Sequence, residues 1–150
     1  MKGYFLTAFG VIGATISAFL GGWDSAMTTL LIFMIIDYVT GIIVAGVFHK
    51  SKKSTNGSLK SAAGFKGLCK KGVMLLIVLV AYRLDMIVGT AYIKDAVVIA
   101  FAVNETISII ENAGLMGIPI PSVITKAIDV LQKKADEEQE AAKDGDADVS

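Results

Sequence analysis

The sequence has 150 residues, 54% of them hydrophobic, and its mean hydropathy is +0.65. Its 14 basic and 14 acidic residues cancel, so the formal net charge is zero. This apolar content exceeds that of a soluble domain, and the apolar residues form long runs rather than amphipathic stripes. These features exclude a soluble globular domain and predict a small integral membrane protein.

Four apolar stretches each approach the length of about 20 residues that a helix needs to cross a bilayer. They lie at about 4–22, 26–48, 72–92 and 93–116. The predicted fold is therefore all-α, an integral membrane helical bundle of about four transmembrane helices. The sequence offers no metal-ligand cluster, no nucleophile beside a base and no phosphate-binding glycine loop, so neither an enzyme nor a bound cofactor is expected.

The second predicted span carries a carboxylate, Asp37, near its middle. A charge at the centre of a membrane helix costs about 2.5 to 3.5 kcal/mol on insertion scales, so it is usually paired or functional. Thr40, Gly41 and Ala45 share its helix face, and the last two form a small-xxx-small pair that lets helices approach closely. This face predicts either a contact between subunits or ordinary packing within one chain.

A basic segment follows the second span. Between Tyr38 and Tyr82 the chain has no acid and seven lysines: Lys50, Lys52, Lys53, Lys60, Lys66, Lys70 and Lys71. Short basic loops stay in the cytoplasm, so this loop and, with two spans on either side, both termini are predicted to be cytoplasmic. Such lysines also attract anionic lipid, which is a second possible role. Nucleic-acid binding is not expected, because spaced lysines with Phe65 as their one aromatic neighbour make no stacking platform.

The third predicted span contains Arg83, the one arginine of the chain, with Asp85 close to it. Arg83 lies near the middle of the span, at a depth similar to that of Asp37 and Glu105. It is therefore the expected positive partner of these acids or of Asp85. If the third helix begins earlier, near Phe65, with its lysines reaching the interface, Arg83 lies at the outer boundary and the pairing weakens.

The fourth predicted span carries a polar stripe. At about 100° per residue, five polar side chains fall within an arc of about 120°: Asn104, Glu105, Ser108, Glu111 and Asn112. One interpretation is a surface that faces water or other subunits in an oligomer and lines a pore. The alternative is a hydrogen-bond network inside a monomeric bundle.

The C-terminal part of the sequence changes character after the spans. Apolar residues recur at helical spacing over about 121–134, which predicts a short amphipathic helix on the membrane face or against a neighbouring copy. Residues 135–150 are acidic and lack an apolar face, which predicts a solvated, partly disordered cytoplasmic tail. The transmembrane domain is accordingly predicted to comprise residues 1–134.

Residues 30–131 closely resemble the bacteriophage holin family, which includes clostridial toxin-secretion holins. The resemblance is carried by D-Y-x-T-G at Asp37–Gly41, G-x-K-G-x-x-K-K at Gly64–Lys71 and N-E-x-x-S-I-x-E-N at Asn104–Asn112. The last motif is followed by G-x-P-x-P at Gly117–Pro121. Each motif alone is weak, but their order and spacing are specific.

The resemblance implies a protein that accumulates in the bacterial cytoplasmic membrane, associates with itself and permeabilises that membrane at a set time. The lesions would let an endolysin, or in some relatives a toxin, cross to the cell wall without direct contact with the holin. Two alternatives stay open. One is a small oligomeric ion channel or proton-coupled transporter, and the other is a membrane anchor for a soluble partner.

Overall fold

The computed structural model describes residues 2–53, 55–58 and 60–147. All regular structure in these residues is α-helical, which confirms the all-α prediction. The helices are α1 (Lys2–Phe19), α2 (Ser25–Gly46), α3 (Ser61–Val88), α4 (Ile93–Leu115) and α5 (Ser122–Ala147). α1, α2 and α4 begin and end within three residues of the predicted stretches, whereas α3 and α5 differ from them.

α4 lies at the centre of the fold, because it packs against α2, α3 and α5. The packed helices enclose an apolar core of Leu20, Met27, Leu30, Met34, Val78 and Val98. Met27, Leu30 and Val78 have no exposed surface. In a bilayer, where lipid is as apolar as these side chains, close van der Waals packing of this kind helps hold helices together.

α1 stands apart from this core. Its apolar side chains are exposed, among them Tyr4, Phe5 and Phe9, and its glycines Gly10 and Gly13 face open space. Contiguous exposed apolar surface of this kind marks a membrane or protein contact.

α3 begins at Ser61, well before the predicted start at about residue 72. Assigning Lys66, Lys70 and Lys71 to a loop was therefore wrong. Lysine has a good helix propensity, and its aliphatic stem can lie along apolar surface while its ammonium stays in a polar place, so these residues do not end a helix. The ring of Tyr38 from α2 lies beside the glycines of this first part of α3.

A tight turn joins α3 to α4. Gly89 ends α3 in the left-handed conformation, with a φ of 79°, and its N–H donates to the carbonyl of Asp85. The Asp85 carboxylate accepts from the Thr90 hydroxyl at 2.6 Å and from the N–H groups of Ile93 at 3.0 Å and Lys94 at 2.8 Å. Because the first N–H groups of a helix have no intrahelical partner, Asp85 caps the start of α4.

Among the described residues, α2 is the one helix long and apolar enough to cross a membrane by itself, with a mean hydropathy of 2.1 in its apolar window. α1 contains a shorter apolar helix, Gly3–Phe19. α3 and α4 are long enough but carry charges: Lys66, Lys70, Lys71, Arg83 and Asp85 on α3, and Lys94, Asp95, Glu105 and Glu111 on α4. The arrangement of four transmembrane helices therefore stays a prediction.

α5 folds back along α4. Gly117 has a φ of 79° in the connection, and Pro121 marks the start of the new helix. Ile128 and Ala135 are buried, and Leu131 lines a hollow formed by α2 and the first half of α4. The predicted amphipathic helix is thus present, and it packs on its own chain.

α5 continues to Ala147, beyond the predicted end at about residue 134. The prediction of a disordered tail is wrong over residues 135–147. This segment is rich in Ala and Glu, which are strong helix formers, and no glycine or proline interrupts it before Gly145. Nζ of Lys134 also lies 3.9 Å from Oε1 of Glu138, one turn further on. Residues 148–150 of the predicted tail lie outside the described residues.

Candidate functional site

Lys71 forms the centre of a charge cluster, made of Asp37, Lys71 and Glu105, between α2, α3 and α4. Its Nζ lies 2.7 Å from Oδ2 of Asp37 and also donates a hydrogen bond to Oε2 of Glu105. The carboxylate side chains are 5% and 4% exposed, and that of Lys71 is 13% exposed. The Lys71 ammonium therefore binds two buried carboxylates, one from α2 and one from α4.

The second oxygen of Asp37 is held by α4. The Ser108 hydroxyl donates to Oδ1 at 2.5 Å, and Nδ2 of Asn112 donates to the same atom at 3.1 Å. Asn112 also donates to the Thr40 hydroxyl at 2.9 Å, and that hydroxyl donates to the carbonyl of Ile36 at 2.8 Å. Both oxygens of the Asp37 carboxylate thus have partners.

The small residues of α2 pack within the chain. A methyl group added at Gly41 would lie 3.8 Å from Nδ2 of Asn112, and Ala45 is 6% exposed. The small-xxx-small pair therefore lets polar side chains of α4 reach Asp37. Of the two interpretations of this face, intrachain packing describes the contacts observed.

The charge cluster holds one more acid than base. Two carboxylates close together in a region of low dielectric repel each other, so their charges need a cation and hydrogen-bond donors nearby. Lys71 supplies the cation, while Ser108 and Asn112 supply donors to Asp37. The stability of the arrangement therefore depends on the one lysine that faces both acids.

The polar stripe of α4 divides between inside and outside. Glu105, Ser108 and Asn112 contact Asp37 or Lys71 of the same chain. Asn104 and Glu111 are exposed and line the edge of an adjacent cleft. Three members of the stripe thus form the intrachain network that the sequence offered as an alternative, and two face outward.

Arg83 does not belong to this site. It is exposed, and its guanidinium donates to Sδ of Met86 at 3.6 Å. It follows Lys71 by twelve positions on α3, which is about 18 Å along a helix. The prediction that Arg83 pairs with the buried acids at a common depth is therefore wrong, and Lys71 has that role. A third helix starting near Phe65, the alternative left open by the sequence, agrees with the observed start of α3 and places Lys66, Lys70 and Lys71 on the helix without singling out Lys71.

A second polar group lies at the end of the bundle where α2 and α4 begin. Nζ of Lys94 is 3.1 Å from Oδ2 of Asp24, which also caps α2 by accepting from the N–H of Met27 at 2.7 Å. Partial burial raises the pKa of Asp24, but the Met27 N–H and the Lys94 ammonium outweigh this and hold the pKa below its ordinary value. Asp85 belongs to this end, where it bonds the backbone of Lys94.

A cleft of about 570 Å³ opens beside the charge cluster, between α2, α3, α4 and the loop before α3. The cluster forms part of its wall, and four exposed lysines line it as well: Lys53, Lys60, Lys66 and Lys70. Lys50 and Lys52 are exposed in the same loop and lie outside the cleft lining. Within the described residues, no group of three or more His, Cys, Asp or Glu side chains is placed to hold a metal ion.

Comparison with known proteins identifies the family. Residues 14–133 match the model of the bacteriophage holin family. A probable holin of Bacillus phage phi105 is 32% identical over 131 residues, covering 87% of this chain and 90% of that protein. An uncharacterised protein of Listeria monocytogenes serovar 1/2a is 34% identical, covering 88% and 91% of the two chains. An uncharacterised 14.9 kDa protein of Clostridium perfringens is 36% identical, covering 82% and 89%.

No solved structure gives a significant match to this chain. The family match spans most of the sequence and includes all three helices of the charge cluster. It confirms the resemblance to the bacteriophage holin family that the sequence motifs carry. The chain belongs to the bacteriophage holin family.

Proposed function

We propose that this protein associates with itself in the bacterial cytoplasmic membrane and permeabilises it. Lesions built from several copies let an endolysin, or a secreted toxin, cross to the cell wall without direct contact with the holin. Membership of the holin family and similarity to a probable holin of Bacillus phage phi105 support this function. The activity is permeabilisation, and it includes no catalytic step.

The buried charge cluster is the observation that carries the mechanism. Polar side chains are tolerated at membrane depth only if they are buried against each other or line water. In the single chain, Asp37, Lys71 and Glu105 satisfy one another. On assembly, the same groups exchange these contacts for an aqueous lumen, so one set of side chains serves both states. Asn104 and Glu111, which are exposed beside the cluster, extend the polar surface of that lumen.

The topology that fits this function has α1 to α4 crossing the membrane with the lysine-rich loop in the cytoplasm. We place both termini in the cytoplasm as well, which requires α5 to leave α4 when the chain is in a bilayer. The outer face of α5 carries exposed charges, among them Lys126, Asp129 and Lys133. Beside the centre of a lipid-facing bundle, each would cost about 2.5 to 3.5 kcal/mol. On the membrane surface, the same charges face water.

The test is induction of the full chain alone in a bacterium. Membrane potential, viability and release of a co-expressed cytoplasmic reporter of endolysin size are followed together. A holin produces abrupt loss of potential with release of the reporter. Growth with intact potential, at confirmed membrane accumulation, would contradict autonomous lesion formation.

A matched pair of variants tests the role of the cluster. Glu105→Gln removes a charge from the cluster, and Asp95→Asn makes the same kind of change at an exposed position of α4 ten residues away, outside the cluster and the cleft. We expect Glu105→Gln to shift the onset of release, because it alters the contacts that hold α3 to α4. Equal onset in the wild type and both variants would show that the cluster does not control opening.

A small proton-coupled transporter or ion channel is the second candidate. It is favoured by the two carboxylates that share one lysine, since such a group can exchange a proton or cation. This function predicts saturable ion flux from proteoliposomes without release of a protein-sized reporter. The induction experiment therefore separates it from lesion formation.

A further inference from the structure

The lining of the cleft beside the charge cluster carries more positive than negative side chains. Its described residues include five lysines and three carboxylates. Two of those carboxylates, Asp37 and Glu105, bind Lys71 in the wall of the cleft. Four lysines are left, and only Glu111 remains to oppose them.

These four lysines are available to a ligand. Lys53, Lys66 and Lys70 are exposed and make no ion pair within the described residues. Nζ of Lys60 donates to the hydroxyl of Thr55 at 3.1 Å, which leaves its charge unbalanced. Lysines unpaired with acids around one concave surface attract an anion, and a phosphate can accept hydrogen bonds from several ammonium groups at once.

The loop that presents two of the lysines is folded onto itself. The N–H of Ser51 donates to the carbonyl of Gly57 at 3.0 Å. Gly57 has a φ of 71°, and a methyl group there would lie 2.1 Å from the carbonyl oxygen of His49, so this turn requires glycine. Lys53 therefore lies in a closed loop rather than in an extended linker.

Apolar side chains line the remaining wall of the cleft, among them Ile42, Ala45, Met74 and Ile107. A small inorganic anion makes no use of such a wall. A lipid does, because its acyl chains contact apolar residues while its phosphate lies at the membrane surface. The combination of lysines and apolar wall therefore fits an amphipathic anion better than free phosphate.

We propose that this cleft is a binding site for the phosphate group of an anionic membrane lipid, with Lys66 and Lys70 as its principal contacts. The two residues lie one turn apart on α3, so they present their ammonium groups on one side of the helix. The inference rests on the proposed membrane function, in that it needs α3 to lie in a bilayer. It does not need lesion formation, so the two can fail separately.

The test uses the purified full-length protein in neutral detergent, with phosphatidylglycerol, phosphatidylcholine and inorganic phosphate as probes. Lipid binding is measured by native mass spectrometry and by the shift in unfolding temperature. We expect phosphatidylglycerol to bind the wild type and Lys66→Gln/Lys70→Gln to bind it at least about tenfold more weakly, since each lysine near a membrane contributes on the order of 1 kcal/mol. Lys50→Gln/Lys52→Gln removes the same charge outside the cleft lining and should change the affinity less than about twofold.

Equal losses in the two double variants would overturn the site and leave only diffuse attraction. Displacement of phosphatidylglycerol by inorganic phosphate at equal concentration would identify free phosphate as the ligand and overturn the lipid assignment. A synthetic peptide of residues 134–147 that binds in preference to the lipid would instead assign the cleft to the acidic end of a second copy. Circular dichroism of both double variants controls for folding.

Discussion

Asp37 is the residue on which the cluster converges, since Lys71, Ser108 and Asn112 all bind its carboxylate. The acid and its α4 donors could be predicted, because polar side chains stand out in apolar sequence and fall on one helical face. Lys71 could not, since nothing local separates it from Lys66 and Lys70. Its role depends on where α3 meets α2 and α4, and tertiary contacts decide that.

Replacing Lys71 tests this dependence. Lys71→Gln leaves Asp37 and Glu105 buried without a cation, and breaking a buried ion pair in this way is expected to cost about 3 to 5 kcal/mol of unfolding free energy. The measurement is denaturant unfolding in detergent, with Lys70→Gln as the control, because Lys70 is exposed at the preceding position of the same helix. The control should change stability by less than about 0.5 kcal/mol.

A double variant makes that result specific. Adding Glu105→Gln to Lys71→Gln removes one of the two unpaired carboxylates, so the double variant should be more stable than the Lys71→Gln variant. Additive losses from the two substitutions would contradict a direct interaction, because independent sites add and coupled sites do not.

The helices differ in how well the sequence predicts where they begin and end. α2 and α4 follow from long apolar runs bounded by turns, and their observed ends lie close to the predicted ones. The end of α5 was missed because a run of acids resembles a disordered tail. Alanine, glutamate and lysine are nevertheless good helix formers, and the Lys134–Glu138 pair supports another turn. Charge composition alone does not separate a solvated helix from a solvated coil.

A proline in the second half of α5 tests that extension. Ala141 is exposed, so Ala141→Pro should interrupt the helix without disturbing the core, and Ala141→Ser supplies a control of similar size. We expect the Cα chemical shifts of residues 137–144 in detergent micelles to be helical in the wild type and in the serine variant. The proline variant should lose them around residue 141. Coil-like shifts over this segment in the wild type would contradict the helix.

The bundle as a whole has two polar regions separated by an apolar core: the end where α3 turns into α4, and the charge cluster near the middle of α2 and α4. Asp24 and Asp37 lie thirteen positions apart on or next to α2, which is about 20 Å along a helix. At the end with Asp85, the Asp85 carboxylate bonds residues five to nine positions away in sequence, and one ion pair, Lys94–Asp24, joins residues 70 positions apart. The charge cluster is held at Asp37 by side chains 34 to 75 positions away. Hydrophobic pattern predicts the number of apolar stretches, but it does not encode which distant residues meet in each polar region.

This difference predicts where the bundle opens. The contacts at Asp37 join α2 to α3 and α4 and can separate as rigid helices move, whereas Asp85 ties α3 to α4 through their connecting turn. Asp37→Asn weakens the charge cluster by removing the charge that Lys71 binds, so we expect earlier loss of membrane potential after induction at matched protein levels. Asp24→Asn makes the same chemical change at the Asp85 end, where it keeps an acceptor for the N–H of Met27 and weakens only the ion pair with Lys94, in which the Asp24 side chain is 47% exposed. Because an exposed ion pair contributes at most about 1 kcal/mol, the onset should stay close to that of the wild type. An equal advance in both variants would indicate general destabilisation, and an unchanged onset in Asp37→Asn would make Asp37 a tolerated packing residue.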